Sequence, residues 1–222
     1  MLSRAQEKLI RNLMTKKGRR EAGLCLAEGR KLIDELGDVV DFAFSAQDTP
    51  FFNTFAQTQT PQDILAVVRI PIHEVSAVCS SPRVVLLDHV QDPGNVGAFF
   101  RLALAFNFTL LLRECADPFS PKVIRASAGA VFHVPYIECK IDEVQDLLRR
   151  TGKVILKFEK TSDAIAFSPL QEEVVLIFGN EGQGILGAYE GQSVFLEHDH
   201  ALESLSVSHA GAIAMYSIYQ QK

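Results

Sequence analysis

The chain has 222 residues, 47% of them apolar, and a formal net charge of −5. That suits one large domain or two small ones with a real core, and an acidic balance spread evenly would argue against a nucleic-acid partner. The balance is uneven: residues 1–31 hold nine Lys or Arg against three Glu, a net +6, and the remainder carries −11. This pattern reads either as a footprint for a phosphate backbone or as a solvated helix face. Cys25, Cys79, Cys115 and Cys139 lie far apart without a CxxC pair, which excludes a zinc knuckle or redox motif and suggests reduced cytosolic thiols. The amino terminus has no signal-peptide core, and the longest apolar run, 96–112, is broken by Arg101 and Asn107, so no membrane span is expected and the location is cytoplasmic.

In chain order, residues 3–16 form an amphipathic helix with Leu9, Ile10, Leu13 and Met14 inward. A short strand follows at 24–27, a helix at 28–36, a strand at 39–45 and an extended apolar run at 63–69. These make a small α/β unit, residues 1–72, and the Pro- and Ser-bearing stretch 73–82 is a linker. In residues 83–222, strands near 83–88, 108–113, 134–138, 153–158, 173–178 and 193–197 alternate with helices near 95–106, 120–130, 141–151 and 206–220. Such alternation predicts an α/β fold with a mostly parallel sheet covered on both faces, binding ligands beyond the carboxyl ends of its strands.

Three stretches sit at such ends. The first runs from Asp92 to Arg101. Aspartate followed by proline opens a helix, because the carboxylate accepts an orphan N–H and proline has none to leave unpaired. Gly97, Ala98, Arg101 and Ala105 then share one side, so Arg101 stands on a stripe of small residues, either gripping a phosphate or carboxylate or lying beside a helix-packing groove. The second is Gly179-Asn180-Glu181-Gly182-Gln183-Gly184-Ile185. Its GxGxxG, residues 182–187, reads as a dinucleotide fingerprint, as backbone passing close to a flat ligand such as adenine, with Asn180 and Glu181 supplying an amide and a carboxylate, or as an ordinary turn. Too little chain follows for the usual doubly wound half. The third is Ser204-Leu205-Ser206-Val207-Ser208. His198-Asp199-His200 lacks a third ligand and reads as a solvated strand end, so no metal is expected.

Together these stretches resemble the signature motifs of the SpoU (TrmH-like) branch of the SPOUT RNA methyltransferases. Asn95, Gly97 and Arg101 match the first motif and 179–185 the second. Residues 204–208 stand where the family has Ser-Leu-Asn-Val-Ser, and 122–130 resemble its middle segment near bound RNA. Residues 1–72 resemble its RNA-binding domain. The resemblance implies a carboxyl-terminal trefoil knot, a homodimer and S-adenosylmethionine held by Gly179, Asn180, Gly182, Gly184, Ile185, Leu205, Ser206 and Val207. The methyl would go to a ribose 2′-hydroxyl, of ribosomal rather than transfer RNA, with Arg101, Asn95, Glu181, Ser204 and Ser206 catalytic. RNA would be held by Arg4, Lys8, Lys16, Lys17, Arg19, Arg20, Arg30, Arg125 and Ser127. Arg101 would hold a phosphate and stabilise the developing alkoxide, with the proton acceptor unassigned.

Three departures bear on turnover. Ser206 replaces the family's asparagine, and a hydroxyl holds a ribose less rigidly than an amide; residues 196–201 stand where the family's approach carries a proline and a glycine; and His209 replaces an apolar residue and reads as a satisfied helix histidine. An RNA-binding protein with weak or lost catalysis on the same scaffold is therefore the alternative.

Overall fold

The computed structural model describes the chain except residues 59, 170–172, 200 and 222. Ser3 caps helix α1 (Arg4–Leu13) through a reciprocal box with Gln6, and Thr15 caps α2 (Lys16–Ala22), so the single helix expected over 3–16 is a pair broken at Met14–Thr15. Then come β1 (Leu24–Glu28), α3 (Arg30–Leu36), β2 (Val40–Ser45), α4 (Phe52–Ala56) and β3 (Ile64–Arg69). The strands form an antiparallel sheet ordered β1-β3-β2. The stretch read as a linker carries a short helix, α5 (Val75–Cys79), whose Val78 is buried against the second sheet.

That sheet is built from β4 (Arg83–Asp88), α6 (Pro93–Phe106), β5 (Thr109–Arg113), α7 (Pro121–Ser127), β6 (Tyr136–Cys139), α8 (Ile141–Thr151), β7 (Val154–Phe158), β8 (Ile165–Ala166), β9 (Val174–Phe178), β10 (Gln192–Phe195) and α9 (Val207–Tyr219). Its order is β6-β5-β4-β9-β7-β10-β8 and every described pairing is parallel. The runs Val84–Leu87, Leu110–Leu112 and Val174–Phe178 are buried throughout, as strands covered on both faces must be. The two-residue β8 left no periodic signal.

One apolar core is continuous across both sheets, joining Cys25, Ala27, Ala66 and Val68 to Phe100, Phe119 and Val123. Burial pushes the thiols of Cys115 and Cys139 up to about 12, so neither is a nucleophile at neutral pH. No helix of the described residues is long and apolar enough to cross a membrane.

Candidate active site

The site grows from the junction of β4 and α6. Asp92 Oδ1 accepts the Asn95 N–H at 3.0 Å and Pro93 opens the helix, as expected from the sequence. Asn95 Nδ2 in turn donates to Glu181 Oε1 at 2.8 Å, which joins the first motif to the second. Asp88, the last residue of β4, is fully buried; its Oδ2 accepts the N–H groups of Leu186 at 2.8 Å and Gly187 at 2.9 Å, and its Oδ1 pairs with Arg113. Sequence reasoning passed over Asp88, although a carboxylate ending an apolar central strand was the available signal.

The glycine loop closes on itself. Asn180 and Gly184 exchange both backbone hydrogen bonds, at 2.8 and 2.9 Å. A Cβ on Gly179 would lie 2.2 Å from the Gly184 carbonyl carbon, so only glycine permits that approach. Asn180 Oδ1 accepts from Gly182 and Gln183, and its Nδ2 donates to the His89 carbonyl at 2.9 Å. The Asn180 amide therefore shapes the loop, with its oxygen and one N–H engaged inside the protein. No helix begins after residues 182–187, and a dinucleotide fingerprint needs a helix N-terminus for its pyrophosphate. That reading is excluded.

A cavity of about 640 Å³ opens beyond the carboxyl ends of β7 and β10, lined by 158–160, 194–198 and 202–205 with Ala210 behind. Of the residues assigned to the cofactor, Leu205 lines it, together with Ser204 from the catalytic set; Gly179, Asn180, Gly182, Gly184, Ile185, Ser206 and Val207 are not among its lining. The sequence reading missed Phe158, Glu159 and Leu196. They lie at the ends of predicted strands, so the rule that sites gather at strand carboxyl ends would have found them had it been applied beyond the motifs. The cavity suits an adenosyl sulfonium. Phe158, Leu196, Leu202 and Leu205 supply apolar walls for a base, and Glu197 and Glu203 supply negative charge for a cation, whereas Glu159 is paired with Lys157 at 3.0 Å and Lys160 adds a positive charge to the lining.

Ser206 caps α9, its Oγ accepting the His209 N–H at 3.3 Å and lying 2.7 Å from His209 Nδ1. His198 Nδ1 is engaged by the Leu196 carbonyl at 2.7 Å, and no metal-binding cluster exists among the described residues, which do not include His200. Helix α9 packs on α6 so closely that a Cβ on Gly211 would lie 2.4 Å from the Phe99 ring. The small-residue stripe of α6 is divided: Gly97 is buried against α7, whereas Arg101 is exposed and makes no hydrogen bond or ion pair among the described residues. Leu104, Ile213 and Tyr216, on the same two helices, are 52%, 45% and 51% exposed.

Residues 82–216, from the start of the parallel sheet into α9, match the model of the SpoU rRNA Methylase family. The chain belongs to that family. This SpoU methylase is 32% identical over 173 residues to the 23S rRNA (guanosine(2553)-2′-O)-methyltransferase of Bacillus subtilis, covering 75% of this chain and 68% of that protein. Over 141 residues it is 33% identical to the 23S rRNA (adenosine(1067)-2′-O)-methyltransferase of Streptomyces laurentii, covering 60% and 52%. An AdoMet-bound rRNA methyltransferase from Sinorhizobium meliloti shares its fold, with a TM-score of 0.85, 24% identity and coverage of 99% and 96%. The SpoU methylase is accordingly an RNA methyltransferase with the mostly parallel α/β architecture expected.

Its basic residues divide. Arg4, Lys8 and Lys16 have no ion-pair partner among the described residues. Lys17 pairs with Glu21, Arg20 with Glu138, Arg30 with Asp63 and Arg125 with Glu28, each retaining exposed surface. Arg19 does not belong on an RNA face: it is 5% exposed, its Nε donates to Asp117 Oδ2 at 2.9 Å and its Nη1 to the Leu13 carbonyl at 2.7 Å. Ser127 is likewise buried, its hydroxyl donating to the Ile124 carbonyl at 3.0 Å. Both corrections follow from burial: Arg19 is enclosed against Asp117 and Ser127 against α6, and polar groups trapped in such places must pair internally.

Proposed function

We propose that this SpoU methylase transfers the methyl group of S-adenosylmethionine to a ribose 2′-hydroxyl of ribosomal RNA in the cytoplasm. The observation that carries the reading is the cavity bordered by Ser204 and Leu205 of the third motif, next to the N-terminus of α9. The names of its 23S rRNA 2′-O-methyltransferase relatives support the ribose and the ribosomal substrate. The bound donor supplies an electrophilic methyl. The protein's own groups hold the ribose in line and stabilise charge on its oxygen. Asn95 and Glu181 act as one hydrogen-bonded unit that fixes the glycine loop beside α6, Ser204 and Ser206 orient the ribose, and Arg101 binds the adjacent phosphate.

Residues 1–72 are the RNA-holding domain, with Arg4, Lys8 and Lys16 foremost and Lys17, Arg20 and Arg30 contributing, and Arg125 of α7 adds to the same face through its pair with Glu28. The path from β9 through β10 to α9 belongs to the proposed knot. A second copy covers the exposed Leu104, Ile213 and Tyr216; Arg101 makes no hydrogen bond or ion pair among the described residues of its own copy, and pairing completes the site around it. Replacing Tyr216 by Asp should convert a dimer to a monomer in sedimentation and lower methyl transfer by about 100-fold or more, since a buried unpaired carboxylate opposes association. A dimer of unaltered activity would exclude this interface.

The function is tested by incubating the protein with methyl-labelled S-adenosylmethionine and either 23S rRNA or transfer RNA, then digesting to nucleosides. Label in 2′-O-methylribose from rRNA is expected. Binding of RNA and S-adenosylhomocysteine without label transfer would leave a binding protein instead.

A further inference from the structure

The third motif contains a contact that ribose orientation alone does not require. Ser206 Oγ accepts the His209 N–H at 3.3 Å and lies 2.7 Å from His209 Nδ1, with Ser208 Oγ at 3.3 Å. A backbone N–H can only donate, so the cap occupies one Ser206 lone pair and leaves the hydroxyl proton free to point at the imidazole. With the hydroxyl proton directed there, His209 Nδ1 is the acceptor and the ring proton sits on Nε2. Ser206 and His209 are both exposed, and Ser204, Leu205 and Ala210, which flank them in the chain, line the cavity. The dyad is thus bracketed along the chain by residues of the cavity wall. Two of the three departures from the family pattern, serine for an amide and histidine for an apolar residue, are in direct contact with each other.

We propose, resting on the ribose 2′-hydroxyl reading, that Ser206 and His209 form a proton relay that supplies the acceptor this reaction needs. As the ribose oxygen bonds to the methyl carbon, the donor's carbon–sulfur bond breaks with its electron pair going to sulfur. The 2′-hydroxyl proton moves to Ser206 Oγ while the Ser206 proton moves to His209 Nδ1. His209 ends as imidazolium and returns a proton to solvent through its exposed ring. Ser206 is the catalytic residue because it touches the ribose hydroxyl; His209 acts through it. An imidazole is suited to this work because it changes charge near neutrality, whereas a guanidinium keeps its proton. The charged and titratable groups around the dyad are Glu203 on its own segment, Glu159, Lys160, Glu197 and His198 around the cavity, and Arg101, the one charged residue of α6, against which α9 packs.

The test compares wild type, His209→Gln and Ser206→Asn in single-turnover methyl transfer to 23S rRNA across pH 5–9, alongside nitrogen NMR of the His209 ring. His209→Gln should lower the rate about 100-fold at neutral pH with unchanged affinity for S-adenosylhomocysteine. Ser206→Asn keeps a good helix cap, so its thermal midpoint should stay near wild type while its rate profile loses the imidazole limb. In the NMR spectrum the Nε2–H tautomer of wild type should give way to a mixture in Ser206→Asn. An imidazole limb that persists in either variant, or a tautomer indifferent to residue 206, would overturn the relay while leaving ribose methylation standing. Absence of methyl transfer by wild type would overturn the function reading and the relay together.

Discussion

Replacing Arg101 by Ala is expected to lower methyl transfer by about 10²–10³-fold or more while leaving the affinity for S-adenosylhomocysteine and the stability of the fold almost unchanged. The magnitude is that of removing one preorganised charged donor from a developing oxyanion. The split follows from the geometry: Arg101 is exposed, makes no hydrogen bond or ion pair among the described residues, and is not among the residues lining the cavity. A surface substitution without partners changes stability by no more than about 0.5 kcal/mol. Arg101→Lys should recover little, because an ammonium cannot present the planar fork that suits a phosphate. Single-turnover label transfer and calorimetric titration of S-adenosylhomocysteine measure the two quantities separately. Unchanged turnover in Arg101→Ala would remove this residue from the mechanism, and loss of cofactor affinity would make it a structural element of the cavity.

Asp88→Ala should have the largest effect on stability of any single change near the site. The carboxylate is fully buried, Arg113 is 5% exposed, and the same carboxylate accepts the Leu186 and Gly187 N–H groups. Removing it strands a guanidinium whose remaining charged partner is Glu114 at 3.3 Å, and leaves two backbone donors without their acceptor. Breaking one side of a buried pair costs about 3–5 kcal/mol. For a protein of this size that lowers the thermal midpoint by on the order of 10 °C. Activity should fall beyond what residual folding explains, since the 179–187 loop loses its tie to β4 and Glu181 with it. Replacing Arg113 by Met in the Asp88→Ala background should recover part of the stability by removing the uncompensated charge. Denaturant unfolding checks both variants; an Asp88→Ala protein of wild-type stability would show that the pair contributes nothing net.

Much of this was legible in local sequence. The Asp92–Pro93 start of α6, the apolar runs of β4, β5 and β9 and the helix over 207–219 follow from capping, proline geometry and hydrophobic period, all of which act over a few residues. The family motifs identified the two loops that do converge, as the Asn95–Glu181 bond demonstrates. A motif says which loop is special and not which way its atoms point: the side-chain oxygen of Asn180 is turned inward to close its own loop.

Arg4 and Arg19 show where that limit lies. In the sequence they are equivalent members of one basic segment. In the fold Arg4 faces solvent and Arg19 is enclosed against Asp117, 98 positions along the chain. The amino-acid sequence alone determined the longer elements, their apolar faces and the family resemblance of the three loops, because those depend on neighbours within a turn or a strand, while the short α4, α5 and β8 escaped it. Only the tertiary structure decided the strand order β6-β5-β4-β9-β7-β10-β8, the lining of the cavity, the Ser206–His209 contact and which charges are free. Each of these is a pairing, and a pairing depends on which surfaces the folded chain brings within a few ångströms of one another.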